Sequence, residues 1–228
     1  GDFMEKKAIP IGIENFEDII KDNYYYVDKS MLIEDILVNR AAVTLFTRPR
    51  RFGKTLNMSM IKYFFDVRNK DENRKLFEGL KIFGSEYMKE QGKYPVIFVS
   101  LKDLRGDTWE DTFENLKSFI SDLYAEFEDM REIMNKRDKI KFDKIFYEEE
   151  KGDYETSLKL LSNYIYKYYG KKVIILIDEY DAPIINAFDK GYYNEAINFF
   201  QVFYSSALKT NDSLKYGILT GITRIIKE

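Results

Sequence analysis

The run Lys171-Lys172-Val173-Ile174-Ile175-Leu176-Ile177-Asp178-Glu179 narrows the choice of fold more than any other stretch of this chain. Five branched aliphatic residues follow one another without polar alternation, and two carboxylates close the run. A strand with one wet face alternates polar and apolar residues. A strand buried on both faces does not, and such strands belong to parallel sheets covered by helices. Ala41–Phe46, Pro95–Leu101 and Tyr216–Thr220 read the same way.

Helical periods fill the intervals. Leu56, Met60, Ile61, Phe64 and Phe65 follow the first strand; Trp109, Phe113, Leu116, Ile120, Leu123 and Phe127 follow the second, with Asp107 and Glu110 as a capping pair. Leu158, Leu161, Ile165 and Tyr168 form a stripe that ends at Gly170, and Ile197, Phe200, Tyr204, Ala207 and Leu208 form the last. Strand and helix alternate, which predicts an α/β class with right-handed crossovers.

Composition removes several chemistries. The 228 residues contain no Cys and no His, so disulfides, thiol nucleophiles, Cys/His zinc sites and imidazole catalysis are excluded. A net charge of -3 gives no basic footprint, so direct nucleic-acid binding by this segment is not expected. No run is long and apolar enough to span a bilayer, and the absence of Cys suits a reducing, cytoplasmic setting. Gly1-Asp2-Phe3 ahead of Met4 reads as an expression scar within an unstructured start, residues 1–8. Residues 9–228 read as one domain, cut short at its C-terminal end, with a charged helical insertion at 131–153.

Chemistry concentrates at two places. The strand ending near Phe46 leads through Arg48-Pro49-Arg50-Arg51-Phe52 to Gly53-Lys54-Thr55-Leu56, where a helix begins. Strand, loop and helix in that order are the setting of a phosphate-binding loop, so Arg48–Leu56 is the expected nucleotide-binding segment. Gly53 lets the backbone approach phosphate, the helix start favours an anion, Lys54 bridges β and γ phosphates, and Thr55 offers its hydroxyl to Mg²⁺. Arg48 stands where this spacing usually has its first glycine. The plain alternative is a chance Gly-Lys-Thr at a helix start beside a solvated basic cluster.

The second place is the acidic tip. Ligand sites of open α/β sheets lie at the C-terminal ends of the strands. Asp178 would hold Mg²⁺, and Glu179 would polarise the attacking water. Asp181 reads as a turn residue before Pro183. The alternative is a strand that ends in acids on its way to solvent. The two motif strands are expected as neighbours in one sheet, with Pro95–Leu101 as an extra strand between them in the chain. Thr220, at the end of the fourth strand, reads as a polar sensor or a simple strand cap, and Arg224 as a charge-stabilising group or a solvated arginine. Ile11, Gly12 and Phe16 read as an adenine-side segment or as packing, Tyr24–Tyr26 as packing, and Trp109 as core.

Four stretches together resemble a known family. Tyr26-Val27-Asp28-Lys29-Ser30, Arg48–Leu56, Ile177-Asp178-Glu179-Tyr180-Asp181-Ala182-Pro183 and Leu219-Thr220-Gly221-Ile222-Thr223-Arg224 resemble the bacterial AAA-ATPase-like domain family. The resemblance runs from Ile9 onward. It implies a three-layer P-loop NTPase fold with a mostly parallel sheet and helices on both faces, and ATP with Mg²⁺ as ligands. Arg at the first glycine position is usual in that family. Members often carry a further PD-(D/E)XK nuclease-like domain, which is absent from these residues and remains a possible partner, as does self-association.

The residues and the resemblance lead to Mg²⁺-dependent ATP binding and hydrolysis coupled to a conformational signal. Glu179, Thr220 and Arg224 are the catalytic candidates, and Thr55 and Asp178 the metal ligands. Two other classes stay open: a nucleotide-dependent switch or scaffold with little turnover, and a small-molecule kinase. Glu179 directly after Asp178 favours water as the nucleophile and ranks the kinase last.

Overall fold

A computed structural model describes residues 6–47 and 53–225. Arg48, Pro49, Arg50, Arg51 and Phe52, all expected in the phosphate loop, lie outside the described residues. The chain forms two compact units, one from residues 1–41 and 49–96, the other from 42–48 and 97–228.

The first unit holds α1 (Phe16–Lys21), α2 (Leu32–Asn39), α3 (Lys54–Phe65) and α4 (Lys70–Lys75). Its centre is aromatic. Phe16, Phe64 and Phe77 are fully buried, and the Phe16 ring meets Tyr26 at 5.5 Å and Phe77 at 5.1 Å between centroids. The Phe16 amide donates to Ser59 Oγ on α3 at 3.0 Å. Phe16 is therefore a packing residue, which settles the choice left open by the sequence. Tyr26 packs as well: burial pushes its hydroxyl up to about 12, and that hydroxyl donates to Met60 Sδ at 3.2 Å.

The Tyr26–Ser30 motif acts as a staple. The Asp28 carboxylate accepts the Ser30 amide at 2.9 Å, the Ser30 hydroxyl at 2.6 Å and the Lys81 amide at 2.8 Å. Ser30 Oγ accepts the Ile82 amide at 3.1 Å. One aspartate and one serine thus fix the short turn at Lys81–Gly84 across some fifty residues of chain, satisfying donors that the turn cannot satisfy itself.

The second unit is built on a sheet of β1 (Val43–Thr47), β2 (Val96–Ser100), β3 (Val173–Asp178) and β4 (Leu214–Gly221). The order is β1-β4-β3-β2, all parallel. Around it run α5 (Trp109–Ala125), α6 (Lys136–Phe146), α7 (Ser157–Tyr169), α8 (Ala182–Lys190) and α9 (Tyr193–Leu208). Val173, Ile175 and Ile177 of β3 join one core with Leu116 and Ile120 of α5, Leu161 and Ile165 of α7 and Phe200 and Phe203 of α9. Ile174 and Leu176 face the other way and are equally buried. Burial on both faces is why this strand carries no polar alternation, and the α/β P-loop-type fold expected from the sequence is the one formed.

Two expectations need correction. The motif strands β1 and β3 are not neighbours; β4 lies between them and β2 sits outside β3. Chain order does not dictate sheet order when every connection is a helical crossover, and the central places go to β3 and the C-terminal half of β4, the strands with the most continuous burial. The cap of α5 is Thr108, whose hydroxyl accepts the Asp111 amide at 3.1 Å, not Asp107. Asp107 falls one residue too early and instead pairs with Lys190 at 3.2 Å. Trp109 packs half-buried against Phe113 and Phe199, and Gly170 ends α7 with φ 73°, the left-handed turn that a glycine adopts without strain. In the charged stretch, Phe142 and Ile145 of α6 point inward while its Lys, Arg and Asp residues largely face water.

The Asp28 staple carries a pH signature. Partial burial works against its charge, but the Ser30 hydroxyl and the Lys81 and Ser30 amides outweigh it and hold the carboxyl below the usual range. A depressed folded pKa contributes stability that is present above the unfolded value and lost as pH falls through the folded one. Thermal unfolding followed from pH 7 downward should therefore show the wild type losing stability below about pH 4, with a shallower acid slope in Asp28→Asn. Parallel acid slopes would mean that the staple is electrostatically silent.

Candidate functional site

Three strand ends converge at the C-terminal edge of the sheet. Phe46 of β1 lies in register with Thr220 of β4, and Ile177 of β3 with Leu219, so Thr47, Asp178 and Thr220 come to one edge. Asp178 is fully buried. Its Oδ1 accepts the Thr220 hydroxyl at 2.5 Å and its Oδ2 the Ser100 hydroxyl at 3.3 Å, and its main-chain carbonyl accepts the Leu101 amide at 3.0 Å. A carboxyl group taken out of water costs several kcal/mol unless donors replace the lost solvent, and two hydroxyls from flanking strands do so here. Ser100 was not singled out from the sequence. The signal was there: it is the one polar residue ending an otherwise apolar strand.

Glu179 is half-buried and has φ 52°. A non-glycine residue held in the left-handed region costs on the order of 1–3 kcal/mol, and such strain concentrates where a side chain must be aimed. Its amide donates to Thr220 Oγ1 at 3.1 Å. A single hydroxyl therefore gives its proton to Asp178 and receives the amide of Glu179. Thr220 is more than a strand cap, because it fixes the two acids relative to each other. Arg224 lies exposed in the turn beyond β4.

Asp181 lies in the turn before Pro183, as expected, and does more besides. It is no mere turn residue: its Oδ2 accepts the Ile222 and Thr223 amides, both at 2.8 Å, and the Thr223 hydroxyl at 3.1 Å. That role is invisible in the sequence because its partners lie some forty residues downstream.

In the first unit, Gly53 has φ 68° and α3 begins at Lys54. The Asn57 amide reaches Gly53 O at 2.9 Å and opens the helical ladder. The conformation itself asks for glycine. Gly53 at the cap position offers no side-chain cap, and the first turn holds no acid. The positive end of the helix dipole lies at this start, where a backbone anion site is favoured, and Lys54 is its first helical residue. Beside it lies a cleft of about 290 Å³ lined by Pro10, Tyr25, Val27, Gly53, Leu56 and Asn57 among others. Tyr25 is 55% exposed there, while Ile11, expected on this side, is 87% exposed and does not line it.

The structure thus brings Asp178, Glu179 and Thr220 together in the second unit and sets Gly53, Lys54, Thr55 and Leu56 at one helix start in the first. Among the described residues no three Asp or Glu side chains gather into a metal-binding cluster. The side chains bonded to the Asp178 carboxyl group, Ser100 and Thr220, carry oxygen only, the ligand type of a hard cation such as Mg²⁺, which takes one or two protein ligands and keeps water and phosphate for the rest. No helix of the described residues is long and apolar enough to cross a membrane.

A parallel sheet with acids at its C-terminal edge, and a glycine–lysine–threonine helix start, define a protein of the P-loop-like α/β class. The family described as predicted AAA-ATPase, AAA-ATPase-like, matches residues 10–228, and the chain belongs to it. It is 25% identical over 228 residues to an uncharacterized protein in the vnfD 5' region of Azotobacter chroococcum mcd 1; the match covers 98% of this chain and 39% of that protein. No solved structure matches. Membership makes this a nucleotide-binding type of domain.

The shared hydroxyl can be tested directly. Thr220→Val keeps the shape and removes the donor to a buried carboxyl group and the acceptor for the Glu179 amide. Urea unfolding should show a loss of about 1–3 kcal/mol, with Thr220→Ser close to wild type. A Val variant as stable as wild type would remove Thr220 from the support of the acid pair.

Proposed function

We propose that residues 9–228 bind ATP and hydrolyse it with Mg²⁺. The observation that carries this reading is the buried Asp178, held by two hydroxyls, with a strained Glu179 beside it at the strand-end edge of a parallel sheet. Gly53, Lys54, Thr55 and Leu56 would receive the phosphates together with the segment Arg48–Phe52, and the cleft lined by Tyr25 and Val27 gives the rest of the nucleotide room. On the sequence motifs, Thr55 and Asp178 are the residues that would serve as Mg²⁺ ligands. The chemistry such an ion would supply is neutralisation of phosphate charge.

In this mechanism Glu179 accepts a proton from water. The water oxygen forms a bond to the γ-phosphorus as the bond to the β,γ-bridging oxygen breaks, leaving ADP and inorganic phosphate. Thr220 holds the acids in place, and Arg224 stabilises charge on the transferring group, from the same chain or from a second copy. Coupling of turnover to a conformational change, and a reducing cytoplasmic setting, belong to the same proposal.

Calorimetry with a non-hydrolysable ATP analogue addresses the phosphate site. Lys54→Ala should lose on the order of 2 kcal/mol of binding, because it removes a charge-assisted contact to phosphate. Equal affinity for the two proteins would place the phosphates elsewhere.

The two acids should separate kinetically. Asp178→Asn should weaken nucleotide binding in the presence of Mg²⁺ and leave metal-free binding little changed. Glu179→Gln should bind normally yet turn over at least about 100-fold more slowly, since an amide orients water but takes no proton. Wild-type turnover in Glu179→Gln would mean that another group is the base.

A further inference from the structure

The loop after β3 and the turn after β4 are joined residue by residue. Asp178 and the amide of Glu179 share the Thr220 hydroxyl. The Tyr180 amide donates to Thr220 O at 2.9 Å. The Tyr180 hydroxyl donates to Thr223 O at 2.5 Å and accepts the Ile225 amide at 2.7 Å. Asp181 takes the amides of Ile222 and Thr223 and the Thr223 hydroxyl. The loop is anchored from behind as well, because the Tyr204 hydroxyl of α9 donates to Tyr180 O.

Two features separate this from ordinary packing. Tyr180 and Asp181 are buried, while of the turn residues they grip Ile222 and Thr223 are exposed, as is Arg224 beside them, and Ile225 is partly buried against the core. Residues 222–224 gain little from burial, so the shape of this stretch depends on these hydrogen bonds together with the seat of Ile225 on the core. The second feature is Gly221. A Cβ there would stand 2.5 Å from Tyr180 Cε1 and 2.9 Å from Asp181 Oδ1, so the strand passes the clamp at a distance that only glycine allows. Arg224 sits between Thr223 and Ile225, the two residues that the Tyr180 hydroxyl grips.

We propose that Tyr180 and Asp181 are positioning residues that lock the Arg224-bearing turn to the Asp178–Glu179 loop, so that the groups acting on the γ-phosphate are held as one rigid set. The inference rests on the hydrolytic reading above. Neither side chain need touch nucleotide. Their effect is to fix where Arg224 leaves the fold, and misplacement of a charge-stabilising group by about 1 Å can cost on the order of 100-fold in rate.

The test compares wild type, Tyr180→Phe, Arg224→Ala, the double variant and Gly221→Ala, each checked for folding by circular dichroism. Tyr180→Phe keeps the ring and removes the two hydroxyl contacts to Thr223 and Ile225, leaving the Asp181 bonds in place. Gly221→Ala reaches the clamp from the other strand and keeps the result decisive if Tyr180→Phe folds poorly. Affinity for the non-hydrolysable ATP analogue should stay within about twofold of wild type in both single clamp variants, while kcat falls by about tenfold or more. Amide hydrogen exchange at Ile225 should accelerate by about tenfold or more in the same two proteins, reporting the released turn without reference to turnover. In the Arg224→Ala background Tyr180→Phe should cost nothing further, because two residues that act through one group are not additive. Wild-type kcat in Tyr180→Phe despite faster Ile225 exchange would overturn the proposal, and so would losses that multiply in the double variant. A wild type that binds no analogue or turns over no ATP sinks the hydrolytic reading and this inference with it, a result visible in the control alone.

Discussion

A buried carboxyl group at the end of an apolar strand is the constraint around which the second unit is arranged. β3 is buried on both faces along its whole length, and its last residue, Asp178, is a fully buried acid. An acid in that position must be given donors by its neighbours, and the parallel strands on either side supply them: Ser100 from β2 and Thr220 from β4. The same demand fixes β4 beside β3 and sets the register in which Thr220 reaches the acid. Solvation of one carboxyl group thus aligns three of the four strands.

The first unit solves a similar problem with different material. Its turn at Lys81–Gly84 presents amides that have no partner within the turn, and Asp28 and Ser30 provide them. Four stretches carried the family resemblance, and they are not alike in kind. The Tyr26–Ser30 stretch is a staple around an aromatic core, whereas the stretches at 177–183 and 219–224 lock onto each other around an acid pair. A resemblance in sequence does not distinguish the two uses, because both need a short side chain with an acceptor oxygen at a fixed place.

Much of the fold was legible because burial on both faces leaves a direct trace. The four apolar runs are the four strands, and the helical stripes after them are α3, α5, α7 and α9. Gly170 was readable as a helix end since a left-handed terminus selects glycine. The cap of α5 was misplaced by one residue, because Asp107 and Thr108 are both able caps and backbone direction alone chooses between them. The sheet order was misjudged for a different reason: the chain reads the strands as β1, β2, β3, β4, while crossovers set them as β1, β4, β3, β2.

By itself the sequence determined the α/β class, the strand segments and the acids at the tip of β3, because hydrophobic period and composition are local properties that each segment carries alone. Tertiary structure decided which strand lies beside which, that Thr220 serves two acids at once, that Glu179 is held at φ 52°, and that Asp181 grips a turn some forty residues away. Those depend on distances between segments remote in the chain. A hydrogen bond is won or lost over a few tenths of an ångström, and such distances are set by packing rather than by any single segment's residues.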